Sequence, residues 1–187
     1  MAAPSKTSNT ATKSEKPKDT GRFISATEGW KITLVAKKWE KAQVPYVTGG
    51  KTLKGADCSG SVWAIYKEAG FSYGPYANTV MFVNKVATDP DFIAAWLQKL
   101  VGTDKNFVQG KHFFKKVTMP QAGDIGLWKG HMAIYDNNVG KTEKGQDGNL
   151  WSASRTGGRD FGPARVDFYD GKDGFGKVVW YRYWMAP

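Results

Sequence analysis

Residues 55–66 read GADCSGSVWAIY, a short polar segment followed at once by an apolar run. Asp57 is typical of a helix N-cap, and the apolar residues after it predict a helix over residues 58–69. Cys58 is the only cysteine of the chain and stands at the first position of this predicted helix. The N–H groups of a helix N-terminus stabilise a thiolate, so this placement indicates a nucleophile.

A histidine that could serve such a thiol stands in the segment GHMAIY, residues 130–135. Only one of the two histidines, His131, begins a predicted strand beside turn residues. Alternation puts His131, Ala133 and Tyr135 on one face, and we expect the cysteine helix to lie on that face. A thiol hydrolase needs a thiolate, an imidazole and a group that orients the imidazole. A lone cysteine or histidine is more often structural, so the chemistry alone does not decide whether Cys58 and His131 form a catalytic pair.

The composition limits the class of protein. A chain of 187 residues, 41% of them hydrophobic, can fill one core of its own. One cysteine cannot form an internal disulfide, and one cysteine with two histidines is too few for a typical zinc site. We therefore expect no metal and no cofactor.

The charge and hydropathy bear on partners and location. The formal net charge of +10 favours binding to polyanions. The lysines do not belong to any known nucleic-acid-binding motif, so we expect a solvated basic surface and no nucleic-acid partner. No apolar run approaches the roughly 20 residues of a membrane span, and the N-terminal segment lacks the apolar core of a signal peptide. We expect a monomer that reaches any substrate outside the cytoplasm by injection, by lysis or with a signal that this sequence lacks.

The order of the periodic segments predicts an α+β domain, with the cysteine helix packed on a C-terminal antiparallel sheet. Residues 1–21 predict a flexible tail and residues 22–187 a single domain. A capping box at Ser25 and Glu28 opens the first helix. The predicted helices cover residues 27–42, 58–69 and 90–101. The predicted strands cover residues 112–117, 124–128, 131–135, 149–154 and 178–184.

Four segments carry, in order, a resemblance to a known family. They are PYVTGG at residues 45–50, DCSG at 57–60, PQAGDI at 120–125 and GHMAIY at 130–135. DCSG alone is a weak signal, whereas the ordered set resembles the NlpC-type cell-wall peptidases, which have a papain-like fold. The resemblance covers nearly the whole chain after the tail, with residues 71–119 as a family-variable insertion.

The resemblance implies hydrolysis of an amide bond in the stem peptide of peptidoglycan, usually between D-glutamate and a diamino acid. It implies Cys58 as the nucleophile, His131 as the base, and an oxyanion held by N–H groups at the helix start. It places Ser152 at the third catalytic position, where the family has His, Asn, Gln or Asp. A hydroxyl can accept from a ring N–H but brings no charge, so Asn149, Asp147 or a backbone carbonyl are alternatives.

The resemblance also implies a stem-peptide subsite with Tyr46 beside the thiol and lined by Asp57 and Ser59. Each residue also has a structural alternative: a core aromatic for Tyr46, an N-cap for Asp57 and a first-turn residue for Ser59. Trp128 and Arg155 fall near the same strand ends, and we expect them to shape the cleft, Arg155 by meeting a stem-peptide carboxylate. The structural alternatives are core packing for Trp128 and an exposed charge for Arg155.

These observations favour a cell-wall amidase or endopeptidase. We expect an antibacterial effector, injected by a type VI-like system into the periplasm or cell wall of a target bacterium. Such an effector needs an immunity protein in the producing cell. The alternatives are a phage lysin, a thiol acyltransferase of the same superfamily, and a non-catalytic module that binds the wall.

Overall fold

A computed structural model describes residues 21–73, 76, 112–128, 130–142, 147–156, 159–166 and 177–185. The predicted tail up to residue 20, the predicted helix at residues 90–101 and most of the predicted insertion lie outside the described residues. Within them, two helices pack on an antiparallel sheet, which confirms the α+β class. Neither described helix has the length and apolar character needed to cross a bilayer.

Both described helices begin within one residue of their predicted positions. Helix α1 covers Ala26–Lys41, and its N-terminus forms the predicted capping box between Ser25 and Glu28. Glu28 also accepts hydrogen bonds from Arg22, and this is the main reason why the pKa of Glu28 falls to about 2. Helix α2 covers Cys58–Glu68 and has Asp57 as its N-cap.

The strands form one large sheet and one small hairpin. The strands are β1 (Arg22–Phe23), β2 (Lys51–Thr52), β3 (Gly55–Ala56), β4 (His112–Val117), β5 (Ile125–Trp128), β6 (His131–Lys141), β7 (Asp147–Thr156), β8 (Arg159–Val166) and β9 (Val179–Met185). The large sheet has the order β1-β9-β5-β6-β7-β8, and β4 also pairs with β9. Strands β2 and β3 form the hairpin that precedes α2. The pairings between these strands are antiparallel.

The structure departs from the predicted strands at β8 and at the two-residue strands. Strand β8 contains Gly162 and Pro163, which read as a turn in the sequence. It lies at one end of the described strand order, where a proline is tolerated because an outer strand edge needs no N–H donor. Position 162 needs a glycine, because the Cβ of any other residue would lie 1.6 Å from the carbonyl oxygen of Val44. Strands β1, β2 and β3 are too short to show any periodicity.

The two faces of the sheet bury different clusters. Met132 and Ile134 of β6 belong to the cluster that contains the apolar residues of both helices. Ala133 and Tyr135 pack in a second cluster, with Trp128 and other residues of the opposite face. The prediction that the cysteine helix lies on the face of Ala133 and Tyr135 is therefore wrong. The alternation from Met132 to Tyr135 is as predicted, but both faces are apolar, so the pattern does not reveal which face the helix covers.

Candidate active site

Helix α2 packs on strand β6, and a short chain of hydrogen bonds links the two elements. The hydroxyl of Tyr66 donates to the carbonyl of Gly123, whose N–H donates to the carbonyl of Tyr135. From Cys58 to Tyr66 the helix rises about 12 Å, and from His131 to Tyr135 the strand rises about 14 Å. Cys58 and His131 therefore lie at similar distances from this link, Cys58 along the helix that packs on β6 and His131 along the strand.

His131 is buried, and its ring is hydrogen-bonded to β7. Ser152 Oγ lies 3.0 Å from His131 Nε2 and 3.1 Å from the carbonyl oxygen of Met132. The hydroxyl has one proton and the carbonyl can only accept it, so Ser152 donates to Met132 and accepts from a proton on Nε2. We assign this tautomer from the hydrogen-bond network. It leaves the lone pair on Nδ1, which is then the proton acceptor of the ring.

Burial controls the charge of this imidazole. Removal from water lowers the pKa of His131 to about 4, well below its ordinary value of 6.5. The ring is therefore neutral at neutral pH and able to take a proton. Trp128 supports it, with ring centroids 6.0 Å apart. Since Trp128 is itself fully buried, it contacts the histidine from the second core cluster and presents no surface to solvent.

Asp57 is the centre of a buried hydrogen-bond network at the start of α2. Its Oδ1 accepts from the N–H of Gly60 at 2.7 Å and from the hydroxyl of Ser59 at 2.9 Å, and its Oδ2 accepts from the N–H of Gly49 at 2.7 Å. Because Ser59 gives its only proton to Asp57, the hydroxyl of Tyr76, 3.0 Å away, donates to Ser59. Asp57 therefore acts as an N-cap, and Tyr76 covers the Asp57 and Ser59 pair.

Tyr76 belongs to this site although the sequence offers little to identify it. Burial raises the pKa of Tyr76, and negative charge on Asp57 and Cys58 raises it further. The hydroxyl lies beside Ser59, the residue that follows Cys58. The available signal is the run of aromatic residues and glycines at residues 71–76, directly after the cysteine helix.

The hairpin of β2 and β3 packs against the first turn of α2. A Cβ on Gly60 would lie 1.8 Å from the carbonyl oxygen of Gly50, so this approach requires a glycine. Tyr46 forms a parallel bridge with Ala56 and is half-buried. This bridge places Tyr46 next to the segment that carries Cys58.

The other predicted site residues lie on β7. Of the three candidates for the third position, Ser152 contacts His131. Asp147 forms an exposed ion pair of 2.7 Å with Lys141 at the far end of the strand, and Asn149 is partly buried between them. Arg155 pairs with β8, and its side chain lies outside the described part of the structure. Among the described residues, no three His, Cys, Asp or Glu side chains are grouped in a way that would hold a metal ion.

A cysteine at the start of a helix that packs on an antiparallel sheet, with a buried histidine on that sheet, supplies the two side chains that a cysteine-dependent hydrolase of the α+β class requires. Residues 43–159 match the model of the NlpC/P60 family, and the chain belongs to this family, which confirms the resemblance. The chain is also similar to the crystal structure of the NlpC/p60 domain of the peptidoglycan hydrolase SagA, with 21% identity and a TM-score of 0.43. That match covers 82% of this chain and 97% of the other. A comparison with the curated proteins finds no match.

Proposed function

We propose that this protein is a cysteine peptidase that hydrolyses an amide bond in the stem peptide of peptidoglycan, between D-glutamate and the diamino acid. Its family consists of cysteine peptidases that act on peptidoglycan, which supports the reaction and the substrate class. The observation that carries the proposal is the hydrogen bond of 3.0 Å between His131 Nε2 and Ser152 Oγ. It leaves Nδ1 as the proton acceptor of the ring, and we assign the thiol of Cys58 as the group that it deprotonates.

In the first half of the proposed reaction, Nδ1 of His131 takes the thiol proton of Cys58. The thiolate attacks the carbonyl carbon of the scissile amide, and N–H groups at the start of α2 stabilise the oxyanion. The imidazolium then protonates the amide nitrogen, the C–N bond breaks, and the amine leaves. The glutamyl part remains on Cys58 as a thioester.

In the second half, water enters in place of the amine. His131 takes a proton from this water while its oxygen attacks the thioester carbonyl, and the C–S bond then breaks. The proton returns to the sulfur of Cys58, and a carboxylic acid is released. Ser152 positions the ring throughout, because its hydroxyl accepts from Nε2–H in both the neutral and the protonated imidazole.

The burial of His131 decides the resting state of this pair. Desolvation disfavours the imidazolium, and the pKa near 4 reflects this cost. We therefore expect the charged ring to exist only while a negative charge, on the thiolate or the oxyanion, lies beside it. The imidazole would be neutral in the resting enzyme.

We also assign the stem-peptide subsite to Tyr46, Asp57 and Ser59, as the family resemblance suggests. Ser59 is fully buried and Asp57 is almost so. They would therefore act on the substrate chiefly by holding the start of α2 and the hydroxyl of Tyr76. Trp128 would support His131 from behind, and Arg155 is proposed from the sequence as a partner of a substrate carboxylate.

The proposed reaction is tested with purified peptidoglycan of the diaminopimelate type. The wild type should release fragments with a new carboxyl group on D-glutamate, as mass spectrometry would show. Replacement of the nucleophile in Cys58→Ala should lower the rate at least about a thousandfold while the melting temperature stays close to that of the wild type. Equal cleavage by both proteins, or none by the folded wild type, would contradict the proposal.

We further propose that the protein acts as an antibacterial effector whose cleft is closed by an immunity protein in the producing cell. The sequence resemblance alone supports this role. The protein should stop bacterial growth when an added signal exports it to the periplasm, and should not do so when it stays in the cytoplasm or carries Cys58→Ala. Normal growth with the exported, intact protein would argue against the role.

A further inference from the structure

Lys51 and Tyr76 form a cation–aromatic pair beside the proposed nucleophile, and the reaction described above does not use Lys51. Lys51 stands on the hairpin, and its Nζ lies 4.8 Å from the centroid of the Tyr76 ring. At its hydroxyl, Tyr76 contacts Ser59, the residue that follows Cys58. The pair therefore lies at the border between the solvent and the start of α2.

The ammonium group of Lys51 is available to a ligand. Lys51 is exposed, and among the described residues no carboxylate forms an ion pair with it. Asp57, the carboxylate nearest in the network, already accepts hydrogen bonds from Gly49, Ser59 and Gly60. Lys51 therefore forms no direct ion pair with Asp57, and its ammonium group keeps its hydrogen-bond donors for another partner.

Aromatic contacts restrict where this ammonium group can lie. Tyr76 packs edge to face with Trp63 of α2, with centroids 6.2 Å apart, and Lys51 Nζ lies 6.0 Å from the Trp63 ring. A cation held over two rings keeps its charge and its hydrogen-bond donors for a partner on the solvent side. The pair thus presents a localised positive charge next to a phenol hydroxyl.

We propose that Lys51 and Tyr76 form a subsite for a free carboxylate on the substrate residue whose carbonyl is attacked. This inference rests on the proposed function. A glutamyl residue has two carboxyl groups, and when one forms the scissile amide the other is free unless it is amidated. Lys51 supplies the charge that distinguishes the carboxylate from the carboxamide, and Tyr76 places this charge near Cys58.

The expected discrimination is modest because Lys51 is exposed. An ion pair at an exposed position strengthens binding by up to about fivefold. Salt should reduce this preference, since the Debye length shortens from about 10 Å at 0.1 M to about 3 Å at 1 M ionic strength. A dependence on salt would distinguish a charge effect from a difference in shape.

The test measures binding to the Cys58→Ala protein, in which cleavage cannot interfere. Calorimetry would compare two synthetic stem peptides that differ only in a carboxylate or a carboxamide on the glutamyl residue. The carboxylate peptide should bind about fivefold more tightly at low salt. Lys51→Gln in the same background should remove this preference, and Lys51→Arg should keep it. The matched control is Lys67→Gln, because Lys67 lies over Trp63, farther from Cys58 along α2, and should not affect the preference.

The outcomes separate this subsite from the proposed reaction. Equal affinity for the two peptides, no binding of either, or a preference that survives Lys51→Gln would overturn the subsite. A carboxylate preference that needs Lys51, together with a wild type that cleaves neither peptide, would support the subsite and overturn the proposed function. The melting temperature of each variant would show that it is folded.

Discussion

The two ends of helix α2 are held in place by different interactions. The Cys58 end is polar, with Asp57, Ser59 and Tyr76 in one hydrogen-bond network and the carbonyl of Gly50 against the first turn. The Tyr66 end packs in an aromatic cluster, with ring contacts to Tyr73, Phe114 and Tyr183 at centroid distances of 5.5–6.0 Å.

A buried ion pair lies at the aromatic end. Tyr66 donates to the carbonyl of Gly123, and the next residue, Asp124, is fully buried. Asp124 accepts hydrogen bonds from Arg182 Nε at 2.9 Å and Nη2 at 2.8 Å. We infer that the aromatic end supplies stability and that the polar end sets the geometry of the site. Changes at the first end should lower the free energy of unfolding, and changes at the second should lower activity.

The largest expected effect on stability is at the aromatic end, in Arg182→Met. Removal of one partner leaves the Asp124 charge buried without its counter-ion, which should cost about 3 kcal/mol of unfolding free energy. The activity of the remaining folded protein should not change. Denaturant unfolding and kcat/KM would check both expectations. The control is Lys38→Met, which breaks an exposed ion pair with Glu68 and should cost less than about 1 kcal/mol. A similar loss of unfolding free energy in both variants would argue against a special contribution of the aromatic end to stability.

A pH effect on stability should arise from His131, on the neighbouring strand β6. Because its pKa is about 4 in the folded protein and 6.5 when unfolded, the unfolded chain binds a proton first as the pH falls. Stability should therefore decrease between about pH 6.5 and pH 4, by about 3 kcal/mol in total. Urea unfolding at several pH values would measure this, and His131→Gln should lack this part of the slope. The same slope in both proteins would refute the assignment to His131.

A smaller effect, on activity, is expected for Ser152→Ala. Loss of the acceptor for Nε2–H should lower kcat about tenfold, with little change in KM, because the ring is then less well oriented. Ser152→Asn, whose amide oxygen can accept from the same N–H, should recover part of the activity. Ser154→Ala is the matched control, a buried serine on the same strand. An equal decrease in both alanine variants would indicate a general packing effect instead of positioning.

The smallest effect is expected for Tyr66→Phe at the aromatic end. This change keeps the ring and its aromatic contacts but removes the hydrogen bond to the carbonyl of Gly123. The unfolding free energy should fall by about 1 kcal/mol, and kcat/KM should stay unchanged. If kcat/KM fell and stability did not, the hydroxyl would have a role in the site and the two ends would not be separate.

The helix starts were predictable because their signals are local. The capping box of Ser25 and Glu28 and the N-cap at Asp57 lie within a few residues of the turns that they begin, so α1 and α2 begin where the sequence predicts. The contact between Ser152 and His131 could be proposed only through the family resemblance. The two residues lie on different strands, and no local pattern joins them.

Features that depend on tertiary contacts were missed. The turn-like residues Gly162 and Pro163 form part of β8 because another backbone segment lies close to Gly162 and the strand is at the end of the described order. The face of β6 that the helix covers could not be read from a strand that is apolar on both sides. Tyr76 joins the site through Ser59. Ser59 lies at the start of α2 and Tyr76 comes after the end of the same helix, so no local pattern joins them.

The anchoring of α2 at Tyr66 also restricts the length of the helix. The thiol of Cys58 lies about two turns before this anchor, so the number of residues between them sets its position. One inserted residue would rotate Cys58 by about 100° around the helix axis and shift it by about 1.5 Å. Trp63 is the one residue between Cys58 and Tyr66 that is not buried, and a substitution there leaves the thiol in place, whereas an insertion or deletion moves it around the helix axis. The spacing between these two residues is therefore constrained in addition to the identity of the buried residues between them.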